Sequence, residues 1–162
     1  MAREPVQSGA AQVPPYPALT IAKWFIAWAE AEAEELSNLK LQKLLYYAQG
    51  HYLSEHHRPL FSDGIEAWSH GPVVPAVYHD YKTFGGASIE LPYEDPFTWA
   101  DVDPDTAEFL SRVWNTYGGF SAGRLRNMSH EEPPWRAHFR PDERGVVIPQ
   151  EEIEKYFAAR QR

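Results

Sequence analysis

Cysteine is absent from the 162-residue chain, and its absence removes several classes of protein at once. There is no disulfide framework, no thiolate zinc or iron–sulfur site and no cysteine nucleophile. A chain without disulfides fits a reducing compartment. An excess of positive charge is also lacking: 15 Lys and Arg face 23 Asp and Glu, a formal net charge of −8. General nucleic-acid binding and attachment to anionic membrane surfaces both call for a basic face, so both are disfavoured. No run reaches the ~18 apolar residues of a membrane-spanning helix.

Catalytic signatures are missing as well. HExxH, the zinc-deaminase pattern, GxGxxG, the P-loop and the GxSxG elbow do not occur. Seven histidines invite a metal reading, but no pair has ligand spacing, and neither a metal nor a cofactor is expected.

What the chain does have is apolar and aromatic material, 43% hydrophobic with 14% Phe, Trp and Tyr. That is enough for one unstapled core, and the length fits a single domain of about 150 residues. Residues 1–18 hold a single Lys or Arg, no apolar stretch and much Ala, Pro, Gln and Ser. They read as a flexible N-terminal tail without export character, and the protein is expected to be cytoplasmic.

From Leu19 onward helical periodicity dominates. A first helix runs to about Glu35, its end crowded by four glutamates that oppose the helix dipole. Ser37-Asn38 caps a second helix over 38–56, where Leu41, Leu44, Leu45, Ala48 and Tyr52 form one buried stripe. Lys40, Lys43 and Tyr47 share another face. Ile65, Ala67 and Trp68 suit a short strand, and Pro72 suits the first turn of a third helix. Residues 86–103 form an irregular connection, and between Lys82 and Arg112 stand seven Asp or Glu and no Lys or Arg. Asp103-Pro104 and Ser121 open two more helices, Pro133–Trp135 a further turn, and the last helix spans about 150–160. Gly145–Pro149 reads as another short strand. The expected fold is mostly α, a single helical domain of about six to seven helices with one or two short β-strands.

Two clusters stand out. Leu39–Gln49 is dense in Lys and Tyr of the kind that anchor interfaces, and Glu66–Pro75 places a tryptophan among glycine and prolines at a rigid extended-to-helix junction. His130-Glu131-Glu132 offers acid–base groups, although beside two prolines the same residues also serve as helix caps and turn formers. Six arginines in the later third, Arg112, Arg124, Arg126, Arg136, Arg140 and Arg144, form either a local basic patch or solvated helix faces.

At these residues the chain resembles the Panacea domain, the SocA-like antitoxin family. The segment Asn38–Gln49 is similar to the family's LKLQKLLYYAQ helix, Phe61–Tyr78 to its EAW and GPVVP.VY segment, and Ser129–Trp135 to its THxExPW segment. Ser129 stands where threonine is usual, and one proline is extra. The likeness places the domain over residues 19–162. It implies a non-enzymatic antitoxin that neutralises a cognate toxin, encoded by an adjacent gene, through direct binding, with no nucleic-acid or membrane partner. Lys40, Lys43, Tyr47, Trp68, His70 and Val73 are expected as surface near that partner. The alternatives are an adaptor that delivers the toxin to a cytosolic protease, and an enzyme that reverses the toxin's modification through His130 with Glu131 or Glu132.

Overall fold

The computed structural model describes residues 13–94 and 97–160. Seven α-helices and a two-stranded antiparallel sheet, with two single-turn 3-10 helices at Lys82–Phe84 and Trp99–Asp101, make up the regular structure among these residues, mostly α as the sequence pattern anticipates. The helices are α1 (Ala18–Ala31), α2 (Asn38–His56), α3 (Pro75–Tyr81), α4 (Pro104–Tyr117), α5 (Ala122–His130), α6 (Pro133–Arg136) and α7 (Gln150–Arg160). No helix among the described residues is long and apolar enough to cross a membrane.

Local chemistry sets most boundaries. The side chains of Ser37, Asp103 and Ser121 accept the amide hydrogens of Lys40, Thr106 and Arg124, so α2, α4 and α5 each start on a side-chain cap. Helix α1 has no cap of its own; Asp63 Oδ1 accepts its first amide, Ala18 N, at 2.7 Å. It stops at Ala31 rather than at Glu35, and Ala33 takes a positive φ of 57°. Three of the four glutamates, Glu32, Glu34 and Glu35, thus lie beyond the helix, as repulsion from the carbonyl pole favours.

Strands β1 (Glu66–Trp68) and β2 (Gly71–Val73) form a hairpin in which Trp68 faces Gly71 and Glu66 faces Val73. Pro72 therefore lies in a strand, and the third helix begins at Pro75, not at Pro72. Either proline suits a first helical turn, and the hairpin claims the earlier one. The strand expected at 145–149 contracts to one bridge, Val147 to Glu66, flanked by Ala67 N donating to Val146 O and Ile148 N donating to Ile65 O, each at 2.9 Å.

The tail expected to be flexible to residue 18 differs from Pro14 onward, where it is packed down. Tyr16 is fully buried, exchanges backbone hydrogen bonds with Leu60 and Ser62, and its hydroxyl donates to Asp103 Oδ1 at 2.5 Å. One aromatic ring is enough to tie this stretch to the start of α4. The remainder of the expected tail, residues 1–12, lies outside the described residues.

Helix α2 is the hub. It packs against α1, α3, α4, α5, α7 and β2, and it is buried on nearly every face over residues 40–50. Against α7 the approach is tightest at Gly50, where an added Cβ would overlap the Phe157 ring. Exposed Gly→Ala changes inside helices stabilise by about 1 kcal/mol. At position 50 the overlap reverses the sign: Gly50→Ala should lower stability by about 1–3 kcal/mol. Urea unfolding should show a lower midpoint with an unchanged slope.

Candidate functional site

The three resemblance-bearing segments meet around α2, and their polar groups are largely engaged with one another. Lys43 is fully buried, and its Nζ donates to Pro72 O at 3.0 Å. Burial, with Arg126 nearby, brings its ammonium down to about 7. Gly71 holds a φ of +110°, and a Cβ there would lie 2.7 Å from Lys43 Cε and 3.0 Å from Ser129 Oγ. Only glycine fits that backbone and that gap. A tight joint thus links the helix motif, the hairpin motif and the Ser129–Trp135 segment.

Other side chains of α2 act as brackets. Gln42 Oε1 accepts Val74 N at 2.8 Å, while Gln42 Nε2 donates to Asn38 Oδ1 at 2.9 Å. Gln49 Oε1 accepts Leu60 N at 2.8 Å, and its Nε2 donates to Phe61 O at 2.9 Å. Lys40 Nζ donates to Gly118 O at 2.5 Å, and burial lowers its pKa. Each bracket satisfies backbone polar groups in segments that lack a secondary-structure partner.

Glu132 is the second buried focus. Its two carboxylate oxygens accept the hydroxyls of Tyr46 and Tyr47, each at 2.8 Å. Burial raises its pKa against the opposing effect of those two bonds, and both phenols are pushed up. Tyr47 stacks on Tyr117 at 4.2 Å, and the Tyr117 hydroxyl lies 2.7 Å from His51 Nε2. Desolvation holds His51 down to about 4, so it is neutral at pH 7.

These placements correct the surface expectation. Lys43, Tyr47 and Val73 lie in the interior, and Lys40 is only 9% exposed. The stripe reading of α2 assumed a solvent face that the surrounding elements cover. Of the six residues, Trp68 is half-buried and His70 exposed. Both stand on the rim of a cluster built by the third segment. His130 stacks on Trp135 at 3.9 Å, Trp135 stacks on Phe139 at 4.9 Å, and Trp135 Nε1 donates to Trp68 O at 2.7 Å. Glu132 is turned toward the two tyrosines, Glu131 is exposed, and His130 Nε2 is buried without a hydrogen-bond partner. The geometry does not assemble a base and a nucleophile around His130. Among the described residues no group of three or more His, Asp or Glu is placed to hold a metal ion.

Beside this cluster a cleft of about 540 Å³ opens between β1, α3 and the chain after α6. Trp68 and Phe139 lie in its wall with Arg140 and Arg144. Sequence reasoning noted the arginines without the cleft, because nothing in spacing links residue 68 to residue 144.

Residues 41–136 match the family described as "Antitoxin SocA-like, Panacea domain", and the chain belongs to that family. Antitoxin SocA of Caulobacter vibrioides (strain NA1000 / CB15N) is 38% identical over 109 residues, which cover 62% of this chain. The matched region spans 58% of that relative's length. No solved structure matches the chain.

Two measurements probe the buried foci. Glu132→Ala leaves two buried phenols without their acceptor, at roughly 1–3 kcal/mol for each unsatisfied group. Chemical denaturation should register a loss in that range or above. For Lys43, the unfolded chain keeps the proton up to the ordinary 10.5, while the folded chain releases it at about 7. Between those values the unfolded state binds more protons, so this lysine makes stability rise with pH. The slope is at most ~1.4 kcal/mol per pH unit. Subtracting the Lys43→Met stability profile from that of the natural chain should isolate this slope.

Proposed function

We propose that the protein is an antitoxin that neutralises a cognate toxin, encoded by an adjacent gene, by binding it directly. The observation that carries the reading is how the family's segments use their chemistry. Lys43 bonds the carbonyl of Pro72 and Glu132 bonds Tyr46 and Tyr47 inside the domain, while Trp68, His130 and Trp135 form a braced rim with His70 exposed beside it. Such an arrangement favours recognition over turnover, because rigid aromatic groups bind at little entropic cost. Membership of the SocA-like family and the name of the 38% identical relative support the same reading.

Charge adds a second support. The segments 30–35 and 90–108 carry many carboxylates and no Lys or Arg, a charge pattern suited to steering a basic toxin. Trp68 and His70 are then contact residues, and Lys40, Lys43, Tyr47 and Val73 act on the interface by fixing the rim's position.

Co-expression with the neighbouring gene product, followed by purification through a tag on one partner, tests this directly. The expected result is a complex of fixed stoichiometry and relief of growth arrest at about one antitoxin per toxin. Protection at far lower ratios, with no complex isolated, would instead point to an enzyme.

A further inference from the structure

The cleft beside the rim has a composition of its own. The aromatic part of its wall is held in place: Phe139 is stacked on Trp135, and Trp68 packs edge-on to Tyr78 at 5.0 Å. Trp68 Nε1 donates to Glu66 Oε1 at 2.9 Å, which fixes one oxygen of the partly buried carboxylate in the wall. The remaining titratable groups facing the space are His79, Arg140, Glu143 and Arg144, all exposed.

Neither arginine has a carboxylate partner among the described residues. Arg140 Nη1 donates to the carbonyls of Ala137 and Phe139, at 3.1 and 3.0 Å. That leaves the other N–H groups of its guanidinium to point elsewhere. In a chain with a net charge of −8, where Asp and Glu outnumber Lys and Arg, two arginines that form no ion pair with Glu66 or Glu143 beside them line one aromatic cleft. The backbone of β1 is paired on both sides, to β2 and to the Val147 bridge. An occupant therefore meets side chains and does not add a strand.

We infer that this cleft holds an acidic segment of the toxin, a carboxylate bound by Arg140 and Arg144 next to an apolar side chain seated on Phe139 and Trp68. The assignment rests on the antitoxin reading and deepens it by naming the chemistry of one contact. Arginine–carboxylate pairs are frequently bidentate and therefore orient what they bind. Together with the acidic segments 30–35 and 90–108, the two unpaired arginines give the antitoxin contacts of both signs to offer its partner. A partner with the complementary pair docks in one orientation, and like-charge contacts penalise the others.

The test uses the full chain and the cognate toxin. Arg140→Glu with Arg144→Glu alters two exposed side chains, and the melting curve of the double variant checks that the fold is intact. The expected result is at least a tenfold weaker Kd, regained in part when acidic residues of the contacted toxin segment are changed to Arg. Arg124→Glu, on α5 over the Phe120 ring and outside the cleft, serves as the charge control and should change Kd less than twofold. A photo-crosslinking amino acid at Glu143 should capture a toxin peptide rich in Asp and Glu. A natural complex that the double variant forms equally well, or capture of a basic peptide, overturns the cleft assignment while the antitoxin reading stands. Absence of any complex with the natural chain overturns the antitoxin reading, and this assignment with it.

Discussion

The rest of the fold depends on one constraint: over residues 40–50, where helix α2 is buried on nearly all sides, its long polar side chains must find hydrogen-bond partners. Helix α2 holds Lys40, Gln42, Lys43, Tyr46, Tyr47 and Gln49 in its buried stretch, and each has a hydrogen-bond partner in the surrounding elements. An unpartnered amide or phenol there would cost about 1–3 kcal/mol, so each bond is cheaper to make than to omit. The polar residues thereby specify where the hairpin, the Leu60–Phe61 stretch and the Ser129–Glu132 segment must lie. The apolar stripe alone would tolerate many arrangements of these pieces.

The same constraint explains why the surface near Trp68 is rigid. Lys43 holds Pro72, Gly71 lets the hairpin approach Lys43 and Ser129, and Trp135 holds the carbonyl of Trp68. Stacking of His130, Trp135 and Phe139 extends this order outward to the cleft. A rim already fixed in the free domain would lose little freedom on binding, which is the physical basis of the recognition role proposed for it.

Much of the fold was legible residue by residue. Helix α2 spans the residues its periodicity and Ser37 cap predict, and the Asp103 and Ser121 caps mark the starts of α4 and α5. Misplacements fell where two local rules competed. Both Pro72 and Pro75 qualify as a first-turn proline, and only the pairing of Gly71 with Trp68 decides between them. Tyr16 sits in a stretch whose composition reads as a tail, yet one ring and its hydroxyl bind it to Asp103 across 87 residues of sequence. For the candidate site the segments themselves were legible, but the solvent exposure of Lys40, Lys43 and Tyr47 was not. Lysine and tyrosine are usually placed at surfaces, and a buried lysine is permitted only by a carbonyl such as that of Pro72.

By itself the sequence determined the class of the domain: helical, free of cysteine, acidic, and carrying the three segments that mark its family. These properties are local or compositional, so spacing and counts suffice to read them. Only the tertiary structure decided which of those segments' residues face water and which face one another. It also brought Trp68 together with Phe139, Arg140 and Arg144 in one cleft. Exposure and convergence depend on which elements cover a given face, a property of packing between distant parts of the chain that no periodicity within one element encodes.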